Sequence, residues 1–252
     1  MKNEISKRIW RCAFYLAPVY LAAIVTGCAS AKVEVTSKSP DYLQHPDFVM
    51  VDNLAVSPKN VKIDDGMAAK IERKSKDITQ SKEEIQVGNA MADALTNAIV
   101  KYLKMGGIKA VKGGSSTKPT NKTLVVGGKF VQIDRGNQTM RVLIGFGLGN
   151  GTMKAMVDCK QGGKVIAQGI VTTLGSYKPG LLVPIAGGAA AGTVVVSATV
   201  SGAATGVSEG FLATINADAD RAGKEIAKKI VQGYINHGWL KPDAIDRLNG
   251  IF

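Results

Sequence analysis

Thr123-Leu124-Val125-Val126-Gly127-Gly128-Lys129-Phe130-Val131-Gln132-Ile133 opens a series of four strand-like runs that continues with Arg141 to Phe146, Thr152 to Cys159 and Lys164 to Leu174. Between them stand Asp134-Arg135-Gly136-Asn137, Gly147-Leu148-Gly149-Asn150-Gly151 and Gln161-Gly162-Gly163. Short β-branched and apolar runs joined by glycine-bearing turns predict an antiparallel meander. The glycines Gly145, Gly147, Gly149 and Gly151 invite comparison with a nucleotide loop. The spacing fails, because G-x-G-x-x-G needs glycine where Asn150 stands. The context fails too, since a helix should follow and Thr152 to Cys159 has a strand pattern.

Outward from the meander, the pattern changes period. Ser81 and Glu84 have the capping-box spacing, and Val87, Met91, Leu95, Ile99 and Leu103 recur on one helical face up to Gly106-Gly107. Before that helix, Phe48-Val49-Met50-Val51 through Val56 is nearly continuously apolar and ends at Ser57-Pro58, which predicts a first, central strand covered on both faces. Residues 57–80 between them are charged and irregular, with Asp64-Asp65-Gly66 as a turn. Downstream, a second amphipathic helix is expected from about Ser208 to Asn236, with Leu212, Ile215, Ala219, Ala222, Ile226, Ile230 and Tyr234 on one face. Asp220 with Lys224 and Glu225 with Lys229 have the spacing of i, i+4 ion pairs. His237-Gly238 ends it, and His237 is expected to meet the last carbonyls, not to act as a ligand. Two amphipathic helices each need a surface for one stripe, so the expected fold is α+β, a mainly antiparallel sheet with both helices on one face.

Between meander and last helix, residues 179–208 form 30 consecutive positions without a charge, including six glycines and seven alanines. Only nine of them are Leu, Ile or Val, which weakens the drive to enter a bilayer. Gly188 with Gly192, and Gly202 with Gly206, have small-xxx-small spacing, so these four glycines are a candidate packing interface. A mobile loop, a close-packed hairpin and a membrane-inserted hairpin all remain open for this Gly/Ala-rich insertion.

The N-terminus supplies an address. Lys2, Lys7, Arg8 and Arg11 against Glu4 make a basic leader, and an uncharged run of 14 residues follows from Cys12 to Val25. A membrane-spanning helix needs about 20 apolar residues, so the segment has the architecture of a secretory signal. Its end, Val25-Thr26-Gly27-Cys28, resembles the lipobox of bacterial lipoproteins. The resemblance implies cleavage between Gly27 and Cys28 and a lipid on the Cys28 thiol, and Ala29 in place of an aspartate implies sorting to the outer membrane, facing the periplasm. The expected organisation is a signal peptide at 1–27, a lipidated N-terminus and tether at 28–46, one α+β domain at 47–240 and a C-terminal tail at 241–252.

Removing the leader takes four basic and one acidic residue from 32 and 20, leaving 28 against 19 and a net charge of +9. Such a surplus attracts anionic headgroups or envelope polymers. The lysines form no aromatic-interleaved stripe, so no nucleic acid is expected as partner. With Cys12 removed and Cys28 acylated, Cys159 is alone and expected to be buried. Two histidines and one buried thiol are poor material for a nucleophile, a base and an orienting group, or for a metal site. No catalytic residue, no cofactor and no metal are therefore expected.

The strand ending at Val56-Ser57-Pro58, the helix ending at Leu103-Lys104-Met105-Gly106-Gly107, Val126-Gly127-Gly128-Lys129-Phe130, Ile133-Asp134-x-Gly136-Asn137, Arg141 to Gly149, Lys178-Pro179-Gly180 and the closing helix together resemble the bacterial lipoprotein family catalogued as domain of unknown function 4410. That resemblance implies an exported envelope protein with no assigned activity. More distantly, the order strand, helix, antiparallel strands, helix is similar to the periplasmic part of the curli-secretion channel lipoprotein and to the N-terminal domain of the periplasmic protein TolB, a likeness of fold that does not carry function. The expected role is a non-catalytic binding or assembly factor, with an envelope polymer or protein as partner and homo-oligomers allowed. The alternative is an oligomeric membrane-inserting or secretion-related component using residues 181–206.

Overall fold

The computed structural model describes residues 30–38, 43–63, 67–75, 77, 79–114, 117–134, 151–174 and 209–250. Among these residues seven strands form one sheet: β1 (Ser30–Lys38), β2 (Val49–Val51), β3 (Val61–Lys62), β4 (Ala110–Lys112), β5 (Leu124–Asp134), β6 (Thr152–Gln161) and β7 (Lys164–Leu174). Their order is β1-β7-β6-β5-β2-β4, with β3 beside the far end of β5. The pairs β5–β6, β6–β7 and β7–β1 are antiparallel, and those of β2 with β4 and β5, and of β3 with β5, are parallel. The meander expected from Thr123, Thr152 and Lys164 onward is present; Arg141 to Phe146 lies outside the described residues. Its strands alternate as a one-sided sheet should: Met153, Ala155 and Val157 of β6 face the core, and Lys154, Met156 and Asp158 the other side.

The parallel half of the sheet comes from one stretch of chain that follows β5 with interruptions. Val49–Val51 pair with Leu124–Val126, Ala55 bridges to Lys129, and Val61–Lys62 pair with Ile133–Asp134. Pro58 has no N–H for a ladder, and a single 3-10 turn over Pro58–Asn60 breaks the strand there. Asn60 holds the break in place, its Nδ2 donating to the Phe130 carbonyl at 2.9 Å. β2 lies between β5 and β4 with all three residues buried, the central position expected from its continuous hydrophobicity. The stretch expected to be irregular contains β3 and a short helix, α1 (Met67–Ser75). The expected turn at Asp64-Asp65-Gly66 falls outside the described residues.

Helix α2 (Gln80–Met105) carries the chain back from β2 to β4. Thr79 caps it, accepting from the Lys82 N–H at 3.4 Å. The expected capping box is thus displaced: Ser81 lies within the first turn, and Thr79, two residues earlier, supplies the oxygen. Val87, Met91, Leu95, Ile99 and Leu103 are all buried, as the spacing predicts. Gly107 N–H to Lys104 O and Ile108 N–H to Leu103 O close the C-terminus.

Helix α3 (Glu209–Asn236) buries Ile215, Ala219, Ala222, Ile226 and Tyr234, joined by Ala227 and Val231. It lies against α2 at close range, with Gly223 beside Ala98 and Gly106 beside Val231, so the two helices run in the same direction. Inward residues of both join Val49, Val51, Val126, Phe130, Met153, Ala155 and Val171 in one core, which places both helices on the same side of the sheet. The acid-base spacing within α3 is used differently than expected. Asp220 turns to α2, accepting from Lys101 Nζ at 3.0 Å and Tyr102 Oη at 2.6 Å, while Glu225 takes Lys228 at 2.8 Å.

Both ends of the described chain are more structured than expected. Residues 30–38, read from their polarity as part of a tether, form edge strand β1, antiparallel to β7. The polarity belongs to an edge strand: Ala31 and Val33 are partly covered from the helix side, while Lys32 and Glu34 face solvent. Residues 241–252, expected as a tail, contain helix α4 (Ala244–Asn249), whose Ala244 and Leu248 are buried in the main core.

Candidate functional site

The residues marked by sequence, Gly27 and Cys28 at the leader and Gly188, Gly192, Gly202 and Gly206 in the uncharged stretch, all lie outside the described residues. What the fold does bring together is an aromatic cluster at the C-terminal end of α3. Helix α3 ends in a Schellman motif: Gly238, with φ of 72°, donates to Ile235 O at 2.9 Å, and Trp239 N–H donates to Tyr234 O at 2.9 Å. The left-handed conformation at Gly238 turns the chain so that the Trp239 indole falls back on the Tyr234 ring, edge-on at 5.3 Å. His237 stacks on Trp239 at 4.7 Å and 18°. From the far end of the sequence, His45 meets the same indole edge-on at 5.0 Å and the Tyr234 ring at 6.3 Å.

Both histidines of the chain thus flank one tryptophan. His237 does sit at the helix end as expected, but His45 is not on a free tether. The side-chain amide of Gln161, at the end of β6, holds its segment. Gln161 Oε1 accepts from Gln44 N–H at 2.9 Å, and Nε2 donates to Gln44 O at 2.9 Å and to Lys122 O at 3.3 Å. One buried amide therefore replaces two rungs of a ladder. Pro46 is buried next to this clamp. No sequence signal links positions 44 and 161; the pairing exists only because β6 ends where the chain enters β2.

The inner side of the cluster is apolar and its polar atoms are kept neutral. The Tyr234 hydroxyl is buried and has no hydrogen-bond partner among the described residues. Burial, with the neighbouring Cys159 sulfur, raises its pKa. Burial, with the charge of Asp158 beside it, pushes the Cys159 thiol up to about 12. Cys159, expected to be buried, is half-buried and packed against the core, and with its pKa raised it stays a thiol at neutral pH and is a poor nucleophile. The outer side is different: His45 and His237 are exposed and the indole is half-exposed between them. Such a surface can stack on planar or apolar groups and hydrogen-bond through the imidazoles.

A second polar group sits beyond the C-terminal ends of the parallel strands. Asp93 of α2 accepts from Asn53 Nδ2 at 2.9 Å and Lys112 Nζ at 2.8 Å. The Lys112 hydrogen bond holds its carboxyl below the usual carboxylate range. This is a tie between the crossover helix and the strand ends, with its oxygen already engaged. Among the described residues no group of three or more His, Cys, Asp and Glu could hold a metal ion. Among them, too, no helix is long and apolar enough to cross a membrane.

A family model described as "Domain of unknown function (DUF4410)" matches residues 49–207. No curated protein matches. Solved structures similar to the chain include two of the PelC dodecamer from Paraburkholderia phytofirmans. One, in space group P6, has 14% identity and a TM-score of 0.34, covering 57% of this chain and 82% of that chain. The other, a single-site variant in space group C2, has 14% identity and a TM-score of 0.32, covering 57% and 79%.

Proposed function

The chain belongs to the family described as domain of unknown function (DUF4410), and from that premise we propose that it is a lipid-anchored cell-envelope protein that acts by binding or assembly and not by catalysis. The observation that carries this reading is the juxtaposition of the lipobox-like Val25-Thr26-Gly27-Cys28 with a folded domain whose first strand begins at Ser30. A single residue, Ala29, separates the acylated cysteine from β1. The domain is then held at the membrane surface by its own edge strand, not displayed on a stalk. Each buried methylene of an acyl chain contributes about 0.8 kcal/mol, and two chains suffice for stable anchoring. The net charge of +9 after cleavage adds attraction to anionic headgroups or polymers, and Ala29 supports the outer membrane, periplasmic side.

The non-catalytic part of the reading is supported by how the reactive groups are used. The Cys159 thiol is protonated, Asp93 and Asp220 are committed to lysines, and Asp218 pairs with Arg221. The surface offered to an envelope polymer or protein partner is the indole of Trp239 between His45 and His237. Aromatic side chains of this kind anchor many interfaces.

Metabolic labelling with a palmitate analogue, followed by membrane fractionation, tests the anchor. The wild-type protein is expected to label and sediment with outer membranes, and Cys28→Ser to lose the label and appear in the soluble fraction. Label retained by Cys28→Ser would overturn the reading. The uncharged 30-residue stretch at 179–208 favours a second reading, a membrane-inserting oligomer or secretion component. Its mark would be an unlabelled Cys28→Ser protein that still requires detergent for release.

A further inference from the structure

Strand β1 ends the sheet, and among the described residues no strand pairs with its outer edge. It is nine residues long, it pairs with β7 in unbroken register from Ser30 to Val35, and only then does a bulge follow before Ser37. A long regular edge presents a row of free N–H and C=O groups, which proteins ordinarily blunt with lysines, bulges or a covering element. Here Lys32 is neutralised by Glu34 two positions on, at 2.7 Å on the same face, with both side chains more than half exposed. The edge is therefore left with no net repulsion along its regular half.

We propose that β1 is a homotypic interface, on which a second copy of this chain adds its own β1 antiparallel, to make one continuous sheet through a two-fold axis at Val33. The register follows from charge and from the pleat. Opposing residues in an antiparallel pair must share a face, so the dyad falls on a residue and not between two. A dyad on Lys32 sets Lys32 against itself, and one on Glu34 sets Glu34 against itself. A dyad on Val33 sets Lys32 against Glu34 of the second copy and Glu34 against Lys32, two opposite-charge pairs on the solvent face. On the helix side the same register sets Val33 against Val33 and Ala31 against Val35, covering a valine that is 40% exposed in the single chain. Three adjacent registers thus differ in charge, and only the middle one is attractive on both faces. The sequence Ala31-Lys32-Val33-Glu34-Val35 is self-complementary in that register and in neither neighbour.

The test uses the full-length protein in detergent, with dimer population measured by light scattering across a concentration series. Lys32→Glu alone and Glu34→Lys alone each convert both cross-strand pairs from attractive to repulsive. Each is expected to weaken the dimer roughly tenfold or more, because both cross-strand pairs change sign at once. The double variant Lys32→Glu/Glu34→Lys restores opposite charges across the axis and is expected to restore the wild-type dimer. Val33→Cys, carried in a Cys12→Ser/Cys159→Ser background, is expected to cross-link to itself under mild oxidation. A protein that is monomeric at every concentration, or a double variant no better than either single one, overturns the proposal. Far-ultraviolet circular dichroism of each variant separates loss of pairing from loss of fold.

Discussion

A Cβ built on Gly223 of α3 would lie 2.5 Å from the Cβ of Ala98 on α2, closer than side chains tolerate. The absence of a side chain there, as at Gly106 beside Val231, lets the two helices approach closely. Gly223→Leu should lower stability by about 1–3 kcal/mol through overpacking. Gly233, in the same helix, has no atom of another element within 4 Å of its Cβ position among the described residues. Gly233→Ala should therefore raise stability by up to about 1 kcal/mol through helix propensity alone. Thermal melts of the two variants, opposite in sign for the same residue type in one helix, check the packing directly.

Gln161 joins the start of the domain to its middle through three hydrogen bonds. Replacing it by leucine leaves the Gln44 N–H and two carbonyls without that partner, at an expected cost of about 1–3 kcal/mol. It also frees His45 from Trp239. Trp239 and Trp10 of the leader are the two tryptophans in the sequence, so emission of the processed protein reports Trp239. Gln161→Leu should shift that emission to longer wavelength at temperatures where circular dichroism still shows a folded chain. An unchanged spectrum would mean that the amide does not position the His45 segment.

Cys159, Tyr102 and Tyr234 all have pKa values raised by burial, with a hydrogen bond to Asp220 adding to the effect at Tyr102. A raised acid stabilises the fold while it is neutral in both states. Stability from these groups is fully present below their unfolded values and is lost as pH rises through the folded ones. For Cys159 the window runs from its ordinary value of 9.0 up to about 12. Denaturant midpoints should therefore hold between pH 7 and about 8.5 and fall above that. Cys159→Ala should flatten the fall above pH 9, whatever it costs at neutral pH. An identical alkaline slope in both proteins would place the thiol in solvent.

Most of the fold was legible because burial and period agree in its main elements. Val87 to Leu103 lies on one helical stripe and is entirely buried, and three described strands of the meander stand within two residues of their expected bounds. The misreadings have physical causes. Thr79 outcompeted Ser81 as cap because the helix starts one turn-fraction earlier, and spacing alone does not say which hydroxyl has the extended backbone. Residues 30–38 are polar because an edge strand buries little, so composition could not tell it from a tether. Pro58 marked a real break, but the chain resumes pairing three residues later, which hid β3.

The aromatic cluster was not legible at all. His45 and His237 are 192 positions apart in sequence, and only the clamp at Gln161 and the turn at Gly238 set both on Trp239. The candidate residues that sequence did mark, Cys28 and the four glycines of the uncharged stretch, lie outside the described residues. Their assignment rests on the leader and on composition.

Intact-mass spectrometry of the protein extracted from membranes tests the lipid anchor most directly. The expected species is a polypeptide that begins at Cys28 and is heavier than residues 28–252 by the mass of acyl chains, with the excess mapped to the N-terminal peptide. A chain that retains Met1, or one that begins elsewhere with no added mass, would contradict it.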